Sequence, residues 1–252
     1  MDANVQQHEV TKEHILDLVR AYINQQTTPK FVPGKSRVHY AGRVYDADEV
    51  CNLVDAALDF WLTLGPYGRK MEQALSEFQG CADTVLACSG SAANLVAMAA
   101  LCAESVEGHL CPGDEVITPA VTFPTTFNPI VQHGMTPVVV DCDVETLNIN
   151  PELFAEAIGP KTRAVFLPHT LGNPFDLDTV TRLCHEHHLW LIEDTCDAFG
   201  STWNGKRVGT FGALGTLSCY PAHHITMGEG GAVFVNDDRL TRTVRSVRDW
   251  GR

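Results

Sequence analysis

The chain has 252 residues, 44% hydrophobic and 19% charged, with a formal net charge of −13. This composition can bury a sizeable core and excludes a disordered chain, and the acidic balance argues against a nucleic-acid partner, which would need a basic face. The nine scattered cysteines contain no CxxC pair, and no apolar run has the length of a signal peptide or a membrane span, so we expect a cytoplasmic protein with no membrane partner.

The first part of the chain is predicted to be helical, with a polar arm. Apolar residues recur at helical spacing over 15–23, and further helical patterns follow over 50–62, ending at Gly65-Pro66, and over 71–78. We assign residues 1–47 to an N-terminal helix and arm, which lies on the surface or on a partner subunit, and residues 48–252 to a large domain.

From residue 84 onward, short β-rich runs alternate with helical patterns. Predicted strands cover 84–88, 115–118, 137–141, 163–167, 189–193, 216–220 and 232–235, and predicted helices cover 91–101, 126–133, 151–158, 177–187 and 240–247. This alternation predicts an α/β fold with a mostly parallel sheet, in which ligands gather at the carboxyl ends of the strands. No closing element follows the last helix, so we expect the chain to be a C-terminally truncated fragment.

Small residues and hydroxyl groups follow the first strand, at Ser89-Gly90-Ser91-Ala92. Free amides at the start of the next helix, together with the hydroxyls, predict a phosphate site, and the alternative is an ordinary N-cap by Ser89 or Ser91. Phe123 follows the second strand, where an aromatic ring either stacks on a flat ligand or belongs to the core.

Titratable side chains follow the next two strands. His169 lies beside an Asn173-Pro174 turn and either contacts a ligand or is hydrogen-bonded within the turn. Glu193, Asp194 and Asp197 form an acidic cluster whose members would repel one another without partners. A protonated ring nitrogen would resolve that repulsion with Asp194, and the alternative is an acidic helix start.

The loop over 218–231 contains two adjacent histidines between glycine-flanked strands. Ser218 offers a second phosphate hydroxyl, and His223 is a candidate acid or base, because an unperturbed imidazole titrates near neutrality. Phosphate donors, a stacking aromatic ring and a carboxylate for a ring nitrogen together predict a pyridoxal-type cofactor.

Several motifs between residues 50 and 252 resemble the DegT-like family of sugar aminotransferases and dehydratases. They are Ser89-Gly90-Ser91, Ile192-Glu193-Asp194, Gly209-Thr210-Phe211-Gly212 and Gly228-Glu229-Gly230-Gly231. The resemblance implies an aspartate-aminotransferase-like (fold type I) large domain whose C-terminal small domain is missing here. It also implies cofactor contacts: the phosphate on Gly90, Ser91, Ala92 and Ser218, the ring on Phe123, the ring nitrogen on Asp194, and further contacts from His169 and Asp197.

Aminotransferases of that family carry a lysine, the covalent cofactor anchor, where this chain has His223, and no lysine follows Lys206. The cofactor therefore cannot be tethered in the usual way, whereas imidazole can still move protons. His223 is accordingly predicted to be the catalytic base, and the alternative is that His223 only packs while His224 or a water acts.

The runs Tyr220-Pro221-Ala222-His223-His224-Ile225-Thr226 and Arg248-Asp249-Trp250-Gly251-Arg252 resemble the CDP-4-keto-6-deoxy-D-glucose 3-dehydrase group of that family. This resemblance implies C3 dehydration of a nucleotide-linked 4-keto-6-deoxyhexose with untethered pyridoxamine phosphate, in dideoxysugar and lipopolysaccharide biosynthesis. It further implies a homodimer, a flavin and iron–sulfur NADH reductase as partner, and Cys196 as one ligand of a [2Fe–2S] cluster whose other cysteines would lie beyond Arg252. A non-catalytic scaffold that binds the cofactor and a sugar aminotransferase are the alternatives.

Overall fold

The computed structural model describes residues 10–27, 30–39, 41–42 and 44–252, so part of the predicted N-terminal arm lies outside the described residues. The chain divides into two compact units, residues 1–69 and residues 70–252. The described helices run in chain order as follows: α1 (Lys12–Asn24), α2 (Ala47–Asp59), α3 (Pro66–Gln79), α4 (Gly90–Leu101), α5 (Pro124–Gln132), α6 (Pro151–Ala157), α7 (Leu177–Glu186) and α8 (Asp238–Arg248).

In the first unit, helices α1 and α2 are joined by ion pairs. The Lys12 ammonium lies 2.8 Å from an Asp55 carboxylate oxygen and 2.6 Å from an Asp59 oxygen. The predicted boundary at residue 47/48 falls after the first residue of α2, whereas the two compact units divide at residue 69/70. Helix α2 also ends earlier than predicted, because Phe60 adopts a left-handed conformation (φ 50°) directly after Asp59.

The described residues of the second unit form a seven-stranded sheet in the order β1-β9-β8-β5-β4-β2-β3, with a separate β6-β7 hairpin. The strands are β1 (Asp83–Ala87), β2 (Glu115–Pro119), β3 (Thr136–Val140), β4 (Thr162–Pro168), β5 (Trp190–Asp194), β6 (Thr202–Trp203), β7 (Lys206–Arg207), β8 (Leu214–Ser218) and β9 (Gly231–Val235). Strand β9 is antiparallel to both of its neighbours, and the other pairs of the large sheet are parallel. The predicted mostly parallel α/β fold is confirmed.

Both faces of the large sheet are covered, which explains why its central strands are continuously apolar. Ala164 and Phe166 point into a core shared with α4 and α8, whereas Val165 and Leu167 point into a second core shared with α6 and α7. Because side chains alternate along a strand, consecutive residues at a strand end also face opposite sides of the sheet. Among the described residues, no helix is both long and apolar enough to cross a membrane.

Candidate cofactor site

The carboxyl ends of β1, β8, β5, β4 and β2 lie at one edge of the sheet, and the predicted site residues lie at these ends or in the segments that follow them. Helix α4 begins at Gly90, directly after β1, and the Ser89 hydroxyl caps it by accepting from the Ala92 amide at 3.1 Å. The predicted N-cap alternative is therefore present. It leaves the amides of Gly90 and Ser91 in the first turn, where helical amides have no partner within the helix.

The close approach of Gly90 to β8 completes this corner. A Cβ atom on Gly90 would lie 2.5 Å from Ser218 Cβ, 2.9 Å from Ser218 Oγ and 3.0 Å from Cys196 Sγ. Only glycine therefore lets the helix start and the Ser218 hydroxyl lie side by side. Amides at a helix N-terminus beside a hydroxyl form a cradle suited to a phosphate group. We call this set, Gly90, Ser91, Ala92 and Ser218, the phosphate corner.

Replacing Gly90 with alanine tests this packing. We expect Gly90→Ala to lower the free energy of unfolding by about 1–3 kcal/mol, because the added methyl group overpacks a buried contact. Gly42→Ala is the matched control, since a Cβ atom on Gly42 meets nothing within 4 Å. Urea denaturation of both variants measures the difference, and a Gly90→Ala protein as stable as the Gly42→Ala protein would contradict the packing described.

Asp194 ends strand β5 and is held on the α4 and α5 side of the sheet. Its Oδ2 atom accepts from Asn94 Nδ2 at 2.8 Å and from Thr126 Oγ1 at 2.9 Å, whereas its Oδ1 atom accepts from the Cys196 amide at 3.1 Å. The side chain is buried, yet Oδ1 has room for a further donor. Asn94, which donates to this carboxylate, lies four residues after Gly90, about 6 Å along the helix.

Phe123 precedes α5, and the Thr126 amide donates to its carbonyl oxygen at 3.0 Å. The Phe123 backbone therefore lies within one turn of Thr126, which donates to Asp194. Its side chain is 67% exposed, so it is not part of the core, which was the alternative. An exposed aromatic face at this edge is available for stacking on a flat ligand.

His169 and Glu193 occupy the opposite side of the sheet from Asp194. Glu193 accepts from the amides of Gly209, Phe211 and Gly212 at 2.7–2.8 Å, and His169 Nε2 lies 3.0 Å from its Oε2 atom. Both side chains are fully buried, and the imidazole is stacked on Phe175. His169 is thus a hydrogen-bonded histidine, as in the alternative interpretation, but its side-chain partner is Glu193 on β5 and not a group of the turn. Its direct contact with the cofactor stays a prediction.

Glu193 should be among the most sensitive positions for stability. We expect Glu193→Gln to lower the free energy of unfolding by about 2–4 kcal/mol. The NH₂ group of the glutamine would face N–H groups that now donate to the Glu193 carboxylate, and those N–H groups would lose their acceptor. Glu186→Gln is the matched control, since Glu186 pairs with Arg182 on the exposed face of α7. Urea midpoints measure both, and equal midpoints would show that the Glu193 contacts contribute nothing.

In the loop after β8, the backbone of Cys219 at the start is hydrogen-bonded to two residues near the end. The Cys219 amide donates to the Gly230 carbonyl at 2.8 Å, and the Met227 amide donates to the Cys219 carbonyl at 3.0 Å. The loop places His223 Nδ1 3.3 Å from Asp197 Oδ1. His224 is exposed. With Nδ1 beside a carboxylate, the Nε2 atom is the ring nitrogen left to face a ligand. Glu193, Asp194 and Asp197, which form the predicted acidic cluster, therefore each have a different set of partners.

Cys196 lies beside the phosphate corner. Burial raises the pKa of its thiol well above the usual value, and the nearby Asp194 carboxylate raises this pKa further. A cysteine that ligates iron does so as a thiolate, which a raised pKa disfavours. Among the described residues there is no group of three or more His, Cys, Asp or Glu side chains that could hold a metal ion. The role of Cys196 as a cluster ligand stays a prediction.

Two buried side chains of the site, Asn94 and Thr126, were not identified from the sequence. The available signal for Asn94 is its place as an amide in the first half of α4, directly before seven apolar residues. Thr126 carried no such signal, because a threonine in the first turn of a helix is common and its contact with Asp194 is tertiary.

Comparison with protein families decides the assignment. The model of the DegT/DnrJ/EryC1/StrS aminotransferase family matches residues 43–252. The chain belongs to this family. It is 49% identical over 243 residues to the lipopolysaccharide biosynthesis protein RfbH of Salmonella typhimurium strain LT2, covering 96% of this chain and 56% of that protein. It is 47% identical over 242 residues to a dTDP-4-dehydro-2,6-dideoxy-D-glucose 3-dehydratase of Saccharopolyspora spinosa, covering 96% and 52%.

A solved relative has the same fold. The structure of an E. coli GDP-4-keto-6-deoxy-D-mannose-3-dehydratase with bound hydrated PLP superposes with a TM-score of 0.76 at 35% identity, over 80% of this chain and 51% of that chain. The predicted resemblance and the aspartate-aminotransferase-like fold are thus confirmed. The chain spans little more than half the length of the curated relatives described above.

Proposed function

We propose that this family member binds pyridoxamine phosphate without a covalent tether and uses it to dehydrate a nucleotide-linked 4-keto-6-deoxyhexose at C3. The observation that carries the proposal is the contact between His223 and Asp197. His223 stands at the position where the aminotransferases that this chain resembles carry a lysine. No lysine follows Lys206, and Lys206 is exposed on β7 with its ammonium 4.4 Å from the centre of the Phe211 ring.

The residues present fit the cofactor. The glycine at position 90 leaves room for the Ser218 hydroxyl beside the amides of α4, which suits the phosphate group. Asp194 Oδ1 has capacity for a ring N–H, and Phe123 offers an exposed face to the ring. These contacts would bind and orient the cofactor through its phosphate, its ring nitrogen and its ring face, leaving its amine free.

When bound, pyridoxamine phosphate supplies an amine for the sugar ketone and a ring that delocalises negative charge. His223 Nε2 would serve as the base toward the aminomethyl carbon of that group, with Asp197 beside the other ring nitrogen to stabilise the imidazolium. The same imidazolium would return the proton to the departing C3 hydroxyl group, which would leave as water.

The proposed partners rest on resemblance rather than on contacts within the chain. A homodimer, a flavin and iron–sulfur NADH reductase, a [2Fe–2S] cluster that includes Cys196, and a cytoplasmic location are all typical of the 3-dehydrase group to which the sequence motifs are similar. The relatives are named for dTDP- and GDP-linked sugars, so the experiment below compares substrates with different nucleotides.

The test uses pyridoxamine phosphate labelled with deuterium at its aminomethyl carbon. The protein is incubated with this cofactor and the CDP-, GDP- or dTDP-linked 4-keto-6-deoxyhexose, and label loss is followed by mass spectrometry. We expect label loss only when a sugar is present. Cofactor binding without label loss would favour the non-catalytic scaffold, and conversion of pyridoxal phosphate by an amino acid donor would favour the aminotransferase.

A further inference from the structure

Asn94 is a fully buried amide in the first half of α4, followed by seven apolar residues. Burying an amide costs free energy unless its hydrogen bonds are made, so its contacts decide why it is there. Asn94 Nδ2 donates to the Thr125 carbonyl at 3.1 Å and to Asp194 Oδ2 at 2.8 Å, and its Oδ1 atom accepts from Thr216 Oγ1 at 2.6 Å. Because the Thr125 carbonyl only accepts, the orientation of the amide is determined.

These contacts join three elements around one carboxylate. Asn94 lies on α4, Thr126 lies on α5, and Thr216 lies on β8 directly opposite Asp194 in the parallel register. All four side chains are almost completely inaccessible to solvent. The side-chain donors from α4 and α5 converge on Asp194 Oδ2, whereas Oδ1 accepts from the Cys196 amide. A fully satisfied buried network of this kind holds its members in one geometry.

We propose that Asn94 and Thr126 are positioning residues that act through Asp194: by occupying Oδ2, they turn Oδ1 toward the ring nitrogen of the cofactor. This inference rests on the proposed function, because it assumes that the ligand of Asp194 is a pyridine ring. It adds that the strength of the ring-nitrogen contact is set from helices α4 and α5, by residues that do not touch the cofactor.

The test compares two ligands that differ only at the ring nitrogen. Dissociation constants of pyridoxamine phosphate and of its analogue with C–H in place of that nitrogen are measured for the wild-type protein, Asn94→Leu, Thr126→Val and Thr126→Ser. We expect Asn94→Leu and Thr126→Val to reduce the preference for pyridoxamine phosphate over the analogue about tenfold, the scale of one hydrogen bond to a charged group. Thr126→Ser, which keeps the hydroxyl, should retain the wild-type preference.

The outcomes separate the inference from the proposed function. If Thr126→Val loses the same affinity for both ligands, or loses none for either, the positioning role is overturned. The proposed cofactor contact would still stand in that case, provided that the wild-type protein prefers pyridoxamine phosphate over the analogue. A wild-type protein without preference, or without binding, would overturn the proposed cofactor contact itself. If Asn94→Leu does not fold, the Thr126→Val and Thr126→Ser pair decides the question alone.

Discussion

His223→Asn should lower the rate of sugar-dependent label loss from pyridoxamine phosphate by about a thousandfold, the middle of the range for removing a general base. The affinity for pyridoxamine phosphate should stay within about threefold, because the proposed site assigns the phosphate, the ring nitrogen and the ring face to other residues. Asparagine keeps a polar side chain that can still contact Asp197, so the loop should keep its conformation. Single-turnover label loss and a binding titration measure the two quantities.

His224→Asn is the matched control, because the neighbouring imidazole is exposed and has the same chemistry. Its rate should remain within about twofold of the wild-type rate, as is usual for surface substitutions. A His224→Asn variant that loses activity while His223→Asn keeps it would show that the two histidines have been assigned the wrong roles. Activity retained in both variants would point to a water molecule as the base.

Asp194→Asn should weaken the binding of pyridoxamine phosphate about a hundredfold, since it replaces a charge-assisted contact with a neutral amide. The substitution conserves shape, and the side-chain oxygen is still able to accept from Asn94 and Thr126. Binding of inorganic phosphate at the phosphate corner should be unaffected, because that corner uses α4 and Ser218. Isothermal titration with each ligand measures both affinities.

Asp238→Asn provides the control for loss of a negative charge, because Asp238 is exposed in the first turn of α8. It should bind both ligands with wild-type affinity. Loss of phosphate binding in Asp194→Asn would indicate a general disturbance of the site, and unchanged affinity for pyridoxamine phosphate would show that the ring nitrogen does not contact Asp194.

The elements of the sheet could be predicted because their signals are local. Continuous apolar runs mark strands covered on both faces, and the observed bounds of β2, β4 and β5 differ from the predicted ones by a residue or so. The end of α2 could not be predicted in this way. A proline and glycine at residues 65–66 predict a turn, whereas the helix ends at Phe60 in a left-handed conformation that an aromatic residue seldom adopts.

The site could be predicted as a set of strand ends but not as a set of contacts. Asp194 and Ser218 follow apolar strands, and parallel strands bring such ends to one edge. The partners of the acidic cluster depend on which face each residue occupies. Side-chain alternation sends Glu193 toward His169 and the amides at 209–212, and Asp194 toward α4 and α5. Asn94 and Thr126 approach from distant parts of the sequence, so only the folded chain reveals them.

A crystal structure of the protein with pyridoxamine phosphate tests the central claim most directly. We expect the phosphate on the amides of Gly90 and Ser91 with Ser218, the ring nitrogen on Asp194 Oδ1, and His223 Nε2 facing the aminomethyl carbon at about 3–3.5 Å. A His223 side chain turned away from that carbon, or a cofactor covalently attached to any residue, would contradict it.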